Sequence, residues 1–160
     1  MIVVVMGVTG SGKTTIGRLL AEQLDWSFYD ADDFHPPENV EKMRRGDALN
    51  DEDRLGWLQD LNRLIVRLLA RGESGILACS ALKASYREYL LVDEQVRLVY
   101  LKGDSGLIKQ RLSERRGHYM NPSLLDSQFE TLEEPGEAIT VDISSSPDAI
   151  LQTIREMLET

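Results

Sequence analysis

The sequence predicts an α/β fold in which a five-stranded parallel sheet is flanked by helices. Three features of the chain predict it. Short apolar runs alternate with segments of helical period along its whole length. The first apolar run leads directly into a glycine-rich turn and then a helix. The long helical segments gather their apolar residues on one face, as helices packed on a sheet must. Parallel neighbours need crossover connections, and right-handed crossovers put helices on both faces of the sheet. With 160 residues and 42% hydrophobic composition, the expectation is one domain spanning 1–160.

Ile2 to Met6 reads as a buried strand, and Thr14 to Leu24 as a helix with Ile16, Leu19, Leu20 and Leu24 on one side. Ser27 to Tyr29 can form a second strand ending in the acidic run Asp30-Ala31-Asp32-Asp33. Glu38 to Arg45 reads as a short helix closed by Gly46, and Asn50-Asp51 caps a longer one whose stripe is Leu58, Leu61, Ile65, Leu68 and Leu69. Ile76 to Cys79 is the third strand, Ser85 to Leu91 a helical stretch, and Val96 to Leu101 the fourth strand. Asp104 to Arg116 is helical with a basic side, and Asn121-Pro122 starts a helix expected to finish near Pro135. Together they predict a lid over roughly 104–135. Ile139 to Ile143 is the last strand, and Ser146-Pro147 opens a terminal helix with Ile150, Leu151, Ile154 and Leu158 inward.

The turn after the first strand reads Gly7-Val8-Thr9-Gly10-Ser11-Gly12-Lys13-Thr14, a phosphate-binding loop in the strand-to-helix setting it requires. Glycines let the backbone curl so that successive N–H groups point inward, and the helix N-terminus adds partial positive charge. Lys13 would reach the β- and γ-phosphates as a point charge, and the Thr14 hydroxyl would ligate a bridging Mg²⁺. The loop therefore implies a magnesium nucleotide, ATP in the reading developed below. In an open parallel sheet, ligands bind beyond the carboxyl ends of the strands. The loop, the Asp30 to Asp33 run and Ser80 to Lys83 all follow strands, so they are expected to converge.

Composition removes other classes. A net charge of −9 and a pI near 4.7 argue against a nucleic-acid surface, which needs a basic face. No apolar run is long enough to span a bilayer, so the expectation is a cytoplasmic protein without a membrane partner. The single cysteine, Cys79, lies in an apolar run and reads as buried packing. Basic residues nonetheless form islands: Lys42 with Arg44 and Arg45, Lys83 with Arg87, and Lys109 with Arg111, Arg115 and Arg116. In an acidic protein such islands suggest small anionic ligands, with solvated helix faces as the plain alternative.

Leu101-Lys102-Gly103-Asp104 lacks the Asn or Thr of a guanine-reading motif, and Ile76-Leu77-Ala78-Cys79-Ser80 has no Walker B acid. Phosphoryl transfer to a small acceptor fits better than a switch or a motor. The acceptor hydroxyl needs a carboxylate within reach, and the leaving charge needs arginines closing over the nucleotide. In an extended segment Asp30 and Asp32 share a face; the alternative role for these acids is to cap the next element. Arg111 and Arg115, one helical turn apart, could clamp the phosphates from the lid, or only face solvent.

Several motifs together closely resemble the bacterial gluconokinases: Gly7 to Thr15; Asp30 to Pro36; Asn39 to Met43; Leu49 to Arg54 with Trp57-Leu58; Cys79 to Lys83 with Tyr86-Arg87; and Ser127 to Phe129 with Leu132-Glu133. The resemblance covers nearly the whole chain. It implies a P-loop, nucleoside-kinase-like fold with a helical lid, often dimeric, that phosphorylates D-gluconate at its terminal hydroxyl with ATP and Mg²⁺. It implies nucleotide contacts from Gly7 through Thr15, Asp32 as acceptor of the hydroxyl proton, and Asp30 beside Thr14 in the magnesium shell. Arg54 and Lys83 are the leading contacts to the substrate's carboxylate or hydroxyls, with His35, Lys42 and Arg87 behind them. Ser145 to Asp148 would lie near the adenine. Ala48 replaces a proline common in the family, and Tyr119 a phenylalanine. For His118 the readings are a site role or support of the lid, and for His35 a site role or a turn residue only.

Overall fold

A computed structural model of the protein describes residues 1–114 and 122–159. The expected sheet is present. Its strands are β1 (Ile2–Met6), β2 (Ser27–Asp30), β3 (Gly75–Ala78), β4 (Val96–Lys102) and β5 (Ile139–Asp142), all parallel, in the order β2-β3-β1-β4-β5. The helices are α1 (Lys13–Leu24), α2 (Pro37–Arg44), α3 (Asp51–Ala70), α4 (Ala84–Arg87), α5 (Ser105–Glu114), α6 (Pro122–Thr131) and α7 (Pro147–Leu158).

β1 is central and fully apolar because both of its faces are covered. Ile2, Val4 and Met6 point to one side, into a core with Trp57, Leu61, Ile65 and Leu68 of α3. Val3 and Val5 point to the other, against Ile16 and Leu20 of α1 and Ile150 and Ile154 of α7. This two-residue alternation is why the stripe on α3 and the stripes on α1 and α7 fill opposite layers. Leu61 is fully buried in the α3 layer. Leu61→Ala is expected to cost about 2–5 kcal/mol in a urea unfolding experiment, from lost burial plus the cavity left behind; a loss under about 1 kcal/mol would mean that the layer refills.

Helix ends follow local chemistry. Asn50 caps α3: its side chain accepts from the Asp53 N–H, while Asp53 accepts from the Asn50 N–H. Ser146 caps α7, with Pro147 at the first helical position.

Three sequence expectations change. The helix expected over Ser85 to Leu91 closes after Arg87, and single turns continue to Leu91. The helix expected to reach Pro135 ends at Thr131, because the Glu133 N–H is taken by Leu82 O at 2.8 Å. The third is the acidic run, which is not extended: Asp30 ends β2, and Ala31–Phe34 form a 3-10 turn. Among the described residues, no helix is long and apolar enough to cross a membrane.

Candidate active site

The carboxyl ends of β1, β2 and β3 open into a cleft of about 210 Å³. Thr9, Lys13 and Thr14 line it from the glycine loop, Asp30 and Asp32 from the acidic turn, and Ser80 from the end of β3. The convergence expected from strand order is therefore present.

Two glycines of the loop leave no room for a side chain. A Cβ on Gly7 would come within 2.5 Å of Ser11 Oγ, and one on Gly10, at φ +78, within 2.8 Å of Leu112 on α5. Gly12 takes a left-handed φ of 95 as the residue before α1. Ser11 is buried, and its Oγ lacks a hydrogen-bond partner. A buried hydroxyl without a partner, inside a curled backbone at a helix N-terminus, suits a site for phosphate oxygens. Lys13 Nζ donates to Val8 O at 3.1 Å, which lays the ammonium over the loop.

Thr14 Oγ1 donates to Asp30 Oδ2 at 3.3 Å, joining the two groups expected near magnesium. No cluster of three or more His, Cys, Asp or Glu able to hold a metal occurs among the described residues. Two oxygen donors suit Mg²⁺, which keeps its waters and takes substrate phosphates instead of a full protein cage. Asp30 also caps the 3-10 turn, because its Oδ1 accepts from the Asp32 N–H at 3.0 Å. Capping, left open in the sequence for both acids, thus falls to Asp30 and leaves the Asp32 carboxylate to the cleft.

Asp32 opens onto the cleft but is crowded by protein on its inner side. Desolvation, with the nearby Asp30 and Asp33 charges, pushes its carboxyl above the usual value against the pull of Lys13. Beneath it Cys79 is buried, and burial pushes its thiol up to about 12. That makes it a packing residue, as the sequence suggests, and no nucleophile.

A tryptophan strut joins the acidic turn to α3. Trp57 Nε1 donates to Ala31 O at 2.7 Å, and the His35 ring stacks on Trp57 with centroids 4.4 Å apart. His35 Nδ1 lies 3.3 Å from Asn39 Nδ2, an amide that can only donate, so Nδ1 is the acceptor and the proton sits on Nε2. Burial and the Arg54 charge lower the His35 pKa, so the ring is neutral at pH 7. His35 thus does more than end the turn: its neutral ring packs between Trp57 and Asn39.

The expected substrate cations gather on one side of this strut. Arg54 Nη1 donates to Tyr86 Oη at 3.1 Å, and Lys83 Nζ donates to Asp51 Oδ1 at 3.2 Å. Tyr86 Oη donates to the same Asp51 oxygen, and Arg54 Nη1 lies 3.9 Å from it. Lys42 is partly engaged elsewhere, in a 2.7 Å ion pair with Asp53 that ties α2 to α3.

Arg87 is a correction. It is buried, and its guanidinium donates to Ala81 O at 2.8 Å and Glu133 O at 2.9 Å, with a weaker contact to Leu82 O. Ala81 sits at φ 46, a left-handed conformation costly for a residue with a Cβ. Arg87 therefore holds the strained loop after β3, giving three of its five donors to main-chain carbonyls.

A second cleft of about 350 Å³ opens on the other side of the loop, lined by Gly12, Thr15, Arg111, Ser145 and Pro147 among others. Ser145 and Pro147 are where the sequence suggests adenine contacts. Arg111 donates to Ile143 O, which pins its side chain across the cleft. Lys109 pairs with Asp126 at 3.2 Å and so joins α5 to α6, a structural use of one residue in the third basic island. Arg115, His118 and Tyr119 lie outside the described residues.

Sequence reasoning missed Gln128. Its Oε1 accepts from the Thr9 N–H at 2.7 Å, and the side chain lines the first cleft. Its partner lies 119 residues away in the chain, so no local pattern could pair them; the signal available was its place in the Ser127 to Phe129 motif, which carries the resemblance but no assigned role.

Comparison with known proteins fits this geometry. Residues 9–159 match the family described as shikimate kinase. A probable gluconokinase of Xenopus tropicalis is 43% identical, covering 96% of this chain and 91% of that protein. The thermoresistant gluconokinase of Escherichia coli K12 is 39% identical, covering 99% and 93%. A crystal structure of a sugar kinase from Janibacter sp. HTCC2649 superposes with a TM-score of 0.90 at 43% identity, covering 99% of this chain and 94% of that one.

Proposed function

Since this chain belongs to the shikimate kinase family, and within it to the gluconokinases, we propose that its cleft transfers the γ-phosphoryl group of ATP to the terminal hydroxyl of D-gluconate. The products are 6-phospho-D-gluconate and ADP. The observation that carries this reading is the convergence of the Lys13 loop and the free carboxylate of Asp32 in one cleft.

The residues divide the work. The N–H groups of the glycine loop and the Ser11 hydroxyl receive the phosphates, and Arg111 closes the nucleotide side with Ser145 and Pro147. Thr14 and Asp30 would hold Mg²⁺, which would supply charge neutralisation to the phosphates. Asp32 accepts the proton of the gluconate O6 hydroxyl as that oxygen forms its bond to γ-phosphorus, and the bond from phosphorus to the bridging oxygen breaks with its electron pair going to ADP. Lys13 faces the charge that grows on the leaving phosphate. Arg54 and Lys83 hold the far end of the sugar acid, where a planar guanidinium suits a carboxylate. Arg115 is assigned to the clamp from its spacing of four residues from Arg111 in the sequence. His35 packs on Trp57, Lys42 supports the pocket through Asp53, and Arg87 maintains its loop.

We further propose a cytoplasmic protein whose partners are ATP and gluconate. A homodimer is the state implied by the resemblance, and light scattering reads it directly.

A coupled assay with ATP, Mg²⁺ and a panel of sugar acids, shikimate included, tests the substrate. Turnover is expected with gluconate; ADP release that ignores the acceptor would reject the assignment. Arg54→Ala is expected to raise KM for gluconate roughly ten- to a hundredfold, the worth of a charged hydrogen bond, with KM for ATP little changed. A selective rise in KM for ATP would show that the carboxylate end lies elsewhere.

A further inference from the structure

Gln128 is half-buried on α6 and reaches the mouth of the phosphate loop. A main-chain N–H can only be met by the amide oxygen, so the 2.7 Å contact with Thr9 fixes which end of the carboxamide is which. With Oε1 turned to Thr9, the other end of the carboxamide is the Nε2 group with its two donors. It offers them in the cleft shared with Lys13, Thr14 and Asp32.

We propose that Gln128 is a further catalytic residue of the phosphoryl transfer: Oε1 sets the loop at Thr9, and Nε2 donates to an oxygen of the γ-phosphoryl group in flight. This inference rests on the kinase reading given above. Its physical basis is local. Beside the Lys13 ammonium and the hydroxyls of Thr9, Thr14 and Ser80, the cleft carries the two carboxylates Asp30 and Asp32, which repel negative charge on the phosphoryl oxygens, so an amide N–H adds a donor on the α6 side. A neutral donor held in place beforehand adds stabilisation without reorganisation and without shifting the Asp32 carboxyl further.

The helix carrying Gln128 is itself held. Leu125 of α6 is buried in the core, and the segment after the helix is tied to the loop after β3 by Glu133, whose carboxylate accepts from the Ala84 N–H at 2.7 Å. The donor is thereby referenced to both sides of the cleft: the phosphate loop through Thr9, and the Ser80–Lys83 loop through Glu133.

Two variants separate the two ends of the carboxamide. Gln128→Glu keeps the shape and an acceptor for the Thr9 N–H, but places a carboxylate oxygen where Nε2 was. Gln128→Ala removes both. Each is assayed for kcat with gluconate and for binding of ADP and of a non-hydrolysable ATP analogue, and thermal unfolding checks that the fold is kept. Gln128→Glu is expected to lower kcat about a hundredfold or more, the usual worth of one such donor, and to weaken the ATP analogue but not ADP. Wild-type kcat in Gln128→Glu with a loss in Gln128→Ala would leave only the loop-setting role and overturn the proposal. Loss of analogue and ADP binding together would overturn it as well. If the wild-type protein itself fails to phosphorylate gluconate, the functional reading falls and takes this inference with it, an outcome distinct from an active wild type beside an equally active Gln128→Glu.

Discussion

Asp32→Asn is expected to lower kcat with gluconate by roughly a thousandfold, within the range for loss of a general base, while leaving nucleotide affinity nearly intact. The substitution keeps the size of the side chain and removes its charge and its basicity. It also spares the backbone, because the 3-10 turn is capped by Asp30 and anchored by Trp57, not by Asp32. A fall in stability comparable to the fall in rate would therefore contradict the assignment.

The pH profile adds an independent reading. Desolvation and the Asp30 charge raise the Asp32 pKa, so the base takes up its proton at higher pH than an ordinary aspartate. A base must be unprotonated to act. Activity is accordingly expected to fall as pH drops through this raised pKa, and the acid limb of kcat/KM is expected to disappear in Asp32→Asn. Persistence of the limb in that variant would move the base role to another group.

Lys13→Ala is the other large loss, expected at about a hundred- to a thousandfold in kcat, the scale for removing one preorganised charge from a phosphoryl-transfer site. The ammonium is already laid across the loop through Val8 O, so its position does not depend on the nucleotide arriving. The variant carries a second signature. Lys13 is the positive neighbour that lowers the Asp32 pKa, and removing it disfavours the carboxylate further. The acid limb of the residual activity is then expected at higher pH than in the wild type. A limb shifted to lower pH would mean that the two groups do not share the cleft as described.

The central strand was legible because five successive apolar residues can only be covered on both faces, and the helix stripes at Leu61 and Ile154 announced what covers them. The phosphate loop was legible because its chemistry is carried by backbone geometry that glycine alone permits at Gly7 and Gly10. The place of Asp32 on the cleft was legible through its neighbours in sequence, yet for an incorrect local reason: it stands on a 3-10 turn capped by Asp30, where an extended segment was expected. Arg87 shows the opposite failure. As an arginine in a basic island it reads as an anion contact, but the left-handed Ala81 beside it, invisible in the sequence, claims one of its donors. Gln128 and the Asp51–Tyr86–Lys83 contacts arise between residues far apart in the chain, and only the folded sheet brings them into register.

The most direct measurement is a crystal structure of the ternary complex with a non-hydrolysable ATP analogue and gluconate. The sugar's terminal oxygen is predicted within hydrogen-bond reach of the Asp32 carboxylate, about 2.6–3.2 Å, with the γ-phosphate beyond it and the substrate carboxylate toward Arg54 and Lys83. A sugar bound in the reverse sense, its carboxylate at the phosphates and its terminal oxygen at Arg54, would contradict the account.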